Sequence, residues 1–150
     1  MSSKVLKNWA LAGLISGTLD ALAGVVVFGF ILGDMSIIQI LQWIGSGVYG
    51  KAAFEMGLLG ALYGTIFHYV IAFGAAAVYF FALPRMAVGK EFPIFSGLAF
   101  GGWVWVFMNL IVLPLSNTVQ GPFSPLAALV GFLWHMVLVG VPIALYAKKE

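Results

Sequence analysis

Residues 9–32, WALAGLISGTLDALAGVVVFGFIL, carry a single ionisable side chain, Asp20. A helix rises about 1.5 Å per residue, so about 20 residues cross a hydrocarbon core of about 30 Å. This stretch is long enough to do so, and it decides the fold class. A backbone in lipid must satisfy its own hydrogen bonds, which only helices and closed barrels achieve. Nothing here alternates apolar and polar residues as a barrel strand would. The run is long for a signal-peptide core and no small-residue cleavage site follows it convincingly, so it reads as a retained helix.

Three further runs repeat the pattern, at about residues 56–83, 95–115 and 124–146. The chain of 150 residues is 63% hydrophobic and 8% charged, with mean hydropathy +1.09. Soluble domains carry about 25% charged residues, so a soluble fold could not hide this surface. The expected architecture is all-α: one polytopic membrane domain over residues 1–150, with four transmembrane helices and a short amphipathic interfacial helix. A net charge of +2 is too small to point to nucleic acid. With no cysteine there are no disulfides, thiolate metal sites or cysteine nucleophiles.

Proline and serine punctuate the runs. Ser124 before Pro125 reads as an N-cap with proline at the first helical position. Pro84 closes the second run and Pro114 lies near the end of the third. Pro142 falls inside the fourth, where it should kink the helix and loosen a backbone carbonyl. Four spans put both termini and the middle loop on one side, with Lys4, Lys7, Arg85, Lys90, Lys148 and Lys149; Lys51 stands alone on the other. The positive-inside rule then places both termini in the cytoplasm.

The first external connection, residues 33–55, carries structure of its own. Ser36 with Gln39 resembles a capping box. Ile37, Ile40, Leu41, Ile44 and Val48 recur at helical spacing, with Gln39, Gln42 and Ser46 between them and Trp43 suited to an interface. This predicts an amphipathic helix lying on, or dipping into, the outer leaflet, broken by the glycines of residues 45–50. A selectivity filter is the sharper reading of those glycines, a flexible turn the plainer one. Lys51 and Glu55 read as an exposed i,i+4 pair.

Each span carries small residues four apart: Gly13/Gly17, Gly60/Gly64, Gly97/Gly101 and Gly140/Ala144. Such pairs let helices approach closely in lipid. Their phase bears on function. Asp20 continues the Gly13–Gly17 stripe, His68 the Gly60–Gly64 stripe, and His135 shares a face with Gly131. All three ionisable groups lie roughly eleven or twelve residues from an end of their run, about 17 Å deep, near the bilayer midplane. A charge at that depth costs several kcal/mol if unpaired, so the three groups are expected to face one another. Asn109, on the face of Gly102, is the candidate auxiliary hydrogen-bond partner.

Coupled Asp and His groups in a membrane are the usual parts of a proton relay, which makes proton- or ion-linked transport the leading reading. The same three side chains could instead bind a divalent transition metal, two histidines could ligate haem, or a quinone-like lipid could lie beside them. A third class is a structural accessory subunit of a membrane complex, with the polar trio joining helices and leftover small-residue faces supporting a homo-oligomer. Phosphate loops, dinucleotide fingerprints and nucleophile elbows are all missing, so the chain leans away from being an enzyme.

The glycine-rich start (residues 12–17), the His68-led second span running to Tyr79 and Arg85, the glycines 97 and 101 leading to Pro114-Leu115, the loop prolines 122 and 125, and the Gly131…His135 helix together resemble a bacterial inner-membrane family. It is the uncharacterised four-span YagU type, and the likeness covers about two-thirds of the chain. It implies a bacterial inner-membrane location and a link to acid resistance, with the mid-membrane histidines carried over at His68 and His135. The chain departs from the pattern at Asn109, where the family bears a histidine, and in its shorter first connection and tails.

Overall fold

A computed structural model describes residues 2–33, 35–82 and 91–149. Pro84, Arg85 and Lys90, used above for a boundary and for the orientation, lie outside the described residues. Among the described residues every regular element is helical. Four helices are long and apolar enough to cross a membrane: Ser3–Ile31, Leu58–Ala82, Pro93–Leu115 and Pro125–Ala147, spans 1 to 4. Ser2 caps span 1 by accepting from the Val5 amide at 3.2 Å. Ser124 caps span 4 through the Ala127 amide at 3.3 Å, with Pro125 at the first turn.

Each span widens into a π-helical stretch: Val27–Ile31, Val78–Ala82, Met108–Val112 and His135–Gly140. In spans 3 and 4 this stretch stops just short of Pro114 and Pro142. A proline lacks the amide hydrogen and its ring collides with the carbonyl four residues back. The wide turn relieves both problems by reaching one residue further. The Leu113 amide bonds to the Met108 carbonyl and the Val141 amide to the Met136 carbonyl. The effect expected of Pro142 therefore takes the form of a π turn beginning at His135.

Span 1 packs against spans 2 and 4, and span 3 packs along span 4. Small residues set the approach. Gly13 lies under the Phe73 ring and Gly17 against Ala72 and Tyr69 of span 2. Between spans 3 and 4 the two backbones touch. A Cβ at Gly101 would overlap the His135 carbonyl, and one at Gly140 would overlap the Gly97 carbonyl. Gly131 accommodates the Trp105 indole. Dispersion in these close contacts replaces a hydrophobic drive that lipid does not supply. At one end of the bundle the Lys4 ammonium donates to the Lys149 carbonyl, so residues 4 and 149 meet.

The connection after span 1 differs from its sequence reading in three respects. A helix does form, Ile37–Tyr49, with the Ser36/Gln39 capping box closed in both directions. It does not stop at Gly45, however, and the turn falls at Gly50, whose φ of 58° suits glycine. Helix persists because Gly45 is needed inside it: the helix lies so close to span 2 that a Cβ at Gly64 would overlap the Leu41 carbonyl. Gly60 and Gly64 thus serve this helix and its neighbour Ala53 instead of another span. The buried side is also mixed. Gln42, Ser46 and Ile40 are buried, whereas Gln39, Ile37, Ile38 and Val48 are exposed. Gln42 donates to the Gly57 carbonyl at 2.9 Å, and Ser46 accepts from the Val119 amide at 3.1 Å. Trp43 donates to the Val119 carbonyl at 2.8 Å, so the loop between spans 3 and 4 is tied to this helix. Lys51 precedes and Glu55 ends the short helix Ala52–Glu55, and no ion pair among the described residues joins them.

Candidate functional site

Asp20, His68 and His135 come together where spans 1, 2 and 4 meet. The Asp20 carboxylate lies between the two rings: Oδ1 is 3.5 Å from His135 Nε2, and Oδ2 is 4.0 Å from His68 Nδ1. Both separations exceed a direct hydrogen bond and fall within ion-pair reach. The side chains are 22%, 12% and 16% accessible for Asp20, His68 and His135, so none points freely outward.

Backbone carbonyls fix both rings. His68 Nε2 lies 2.7 Å from the Gly17 carbonyl of span 1. His135 Nδ1 lies 2.7 Å from the Gly131 carbonyl, one turn back on its own helix. A carbonyl oxygen only accepts, so each of these nitrogens carries its hydrogen. In a neutral imidazole the other nitrogen then holds a lone pair. Hence, in the neutral form, His68 Nδ1 and His135 Nε2 turn their lone pairs toward the carboxylate. Gly17 makes the first bond available: without a side chain it lets span 2 close in until an imidazole reaches its carbonyl. Tyr69 meets the His68 ring edge-on at 5.4 Å and shares a 2.9 Å hydroxyl contact with Thr18.

A fourth participant is Trp134. Its indole Nε1–H donates to Asp20 Oδ1 at 2.7 Å, and its ring stacks on His135 at 5.5 Å and 21°. Phe28, in the π turn of span 1, meets the indole edge-on at 5.9 Å. Sequence reasoning passed over this residue as one of five tryptophans on apolar helices. No signal in the sequence marked it, because neighbouring residues on a helix point about 100° apart. Asn109 is placed elsewhere: its amide donates to the Trp105 carbonyl at 2.9 Å, four residues back on its own helix. Of the packing glycines, Gly17 and Gly131 lend their carbonyls to the histidines, and Gly101 supports the His135 main chain.

The arrangement bears on bound groups. Among the described residues no cluster of three or more His, Cys, Asp or Glu is disposed to hold a metal ion. Axial haem ligation needs two imidazoles on opposite faces of a macrocycle. Here one carboxylate fills the space between the rings, within 4.0 Å of both. What the group can do is hold a proton. With both rings neutral and the carboxylate ionised, the trio has charge −1 and three acceptors face one another. One added proton gives one of them something to donate and brings the charge to zero. Compared with known proteins, the chain matches no family model, no curated sequence and no solved structure.

Proposed function

We propose that this chain is a proton-handling membrane protein whose Asp20, His68 and His135 share one exchangeable proton at the meeting of three spans. The observation carrying this reading is the pair of tethered imidazoles, each presenting its second ring nitrogen to the same carboxylate. A proton resting on any one of the three can pass to a neighbour with sub-ångström to ångström movement. The reading is tested in proteoliposomes by following internal pH after a gradient is imposed. His68→Ala and His135→Ala should each lower flux by about tenfold or more, since each removes one of three proton stations. Equal flux in wild type and both variants, or no flux at all, sinks the proposal.

A structural reading has its own support. The His68–Gly17 and Trp134–Asp20 bonds both cross between spans. Such bonds contribute about 0.6 kcal/mol each in a membrane. That reading requires stability, and not flux, to fall in the same variants.

The proposed placement is a bacterial inner membrane with both termini cytoplasmic. The resemblance to the YagU type supports the first part. The grouping of Lys4, Lys7, Lys148 and Lys149 at one end of the bundle, against Lys51, supports the second. The chain has no cysteine, so single introduced thiols report cleanly. Lys149→Cys should react with an impermeant maleimide only in inverted vesicles, and Lys51→Cys only in right-side-out cells. The opposite labelling pattern reverses the topology.

A further inference from the structure

We infer that Trp134 is a positioning residue that parks the shared proton on His135 Nε2, leaving His68 as the station filled second. This rests on the proton-sharing reading above and assigns the resting place that the reading leaves open. Three locations compete: the carboxyl of Asp20, Nδ1 of His68, and Nε2 of His135.

Two independent contacts of one indole select among them. First, the Nε1–H donates to Asp20 Oδ1 at 2.7 Å, a bond stronger to an ionised carboxylate than to a carboxylic acid. That disfavours the proton on Asp20. Second, the indole stacks on the His135 ring with a lateral offset, at 5.5 Å and 21°, within the reach at which an aromatic face favours a cation over a neutral imidazole. Among the described residues no ring stacks on His68; its aromatic neighbour Tyr69 lies nearly perpendicular to it, at 78°. The groups facing the carboxylate are His68 from span 2 and His135 with Trp134 from span 4, and Tyr69 borders His68. Of the two rings, His135 is also the nearer to the carboxylate, 3.5 against 4.0 Å. With the proton on His135 Nε2, Oδ1 receives two donors, the indole and the imidazolium. Oδ2 then remains open toward the His68 lone pair. Phe28 also packs on this indole, at 5.9 Å and 81°.

The chain has two histidines, so its histidine nitrogen spectrum contains four ring signals. Nitrogen-15 solid-state NMR of histidine-labelled protein in lipid bilayers reads the proton location directly, with His68→Gln used to assign the pair. In wild type, on lowering pH, the first doubly protonated ring should be His135, while His68 Nδ1 still shows the unprotonated signature. Trp134→Phe keeps a ring and removes the N–H; the imidazolium share of His135 relative to the other stations should fall by about tenfold. Trp134→Leu removes both contacts and should lower it further. Should His68 protonate first, should both rings stay neutral while Asp20 holds the proton, or should Trp134→Phe leave the distribution unchanged, the inference is overturned. These outcomes separate from the parent reading. Proton flux that depends on both histidines, with His135 neutral, overturns only the parking assignment. The expected spectra without any flux overturn only the transport reading.

Discussion

Asp20→Asn should cut proton flux by about 100-fold or more, to the level of protein-free liposomes, while unfolding stability stays within about 1 kcal/mol of wild type. The substitution separates the proton reading from the structural one because an asparagine is a good structural replacement and a useless proton carrier. Its carbonyl oxygen still accepts the Trp134 N–H, now 2.7 Å from Asp20 Oδ1. Its amide can donate toward His68 Nδ1, the nitrogen now 4.0 Å from Oδ2. It also removes a mid-membrane charge. If the trio only joins helices, Asn should serve as well as Asp or better. If the trio carries a proton, the middle station is gone. Wild-type flux in Asp20→Asn would end the proton reading. A large stability loss would show that the carboxylate itself holds the spans together. Asp20→Leu is the harsher control: it strands the indole N–H and both imidazole nitrogens, and should destabilise by about 1–3 kcal/mol.

Gly101→Leu should break the bundle between spans 3 and 4, with a loss of about 3 kcal/mol or more. Even the first atom of the new side chain would overlap the His135 carbonyl, and Met136 Cα would lie 2.7 Å from it. Both obstacles are main-chain atoms, so no rotamer change relieves them. The reciprocal contact of Gly140 with Gly97 and Gly101 means that the helices can part only as a unit. Gly24→Ala and Gly74→Ala are the matched controls, because a Cβ at either glycine meets nothing within 4 Å. They should be neutral or slightly stabilising through helix propensity. Unfolding in mixed detergent micelles measures all three. The same substitution should reach the polar site, since it pushes the His135 backbone away from span 3 and toward Asp20. A Gly101→Leu protein as stable as the controls would show that the close approach of these helices is dispensable.

The four spans were legible because lipid imposes a length and forbids unpaired backbone, so apolar runs of about 20 residues have one outcome. The inward rotation of Asp20 could be read from its phase with Gly13 and Gly17, since close packing and burial of a charge both demand the inner face. The connecting helix shows where this logic fails. Its polar residues Gln42 and Ser46 implied a wetted side, but their direction depends on whether water or hydrocarbon surrounds the helix, and periodicity is the same in both cases. Gly60 and Gly64 announced a close contact without naming the partner, which proved to be that helix. Trp134 escaped because an indole on an apolar segment satisfies lipid, core and interface equally well. Asn109 was overrated, since an amide in a helix can be satisfied by the carbonyl one turn back and needs no distant partner.

The carbonyl tethers on the two imidazoles have a kinetic consequence. A histidine in a conducting wire loads at one nitrogen and unloads at the other. Here the second nitrogen of each ring is already committed to main chain, at Gly17 and at Gly131, and a carbonyl cannot take the proton onward. Cargo must therefore depart through the door by which it arrived. On the proposed proton reading, transport proceeds by occlusion and release, one equivalent per rearrangement of the spans. Its rate should saturate with the driving gradient, the behaviour of a carrier and not of a channel.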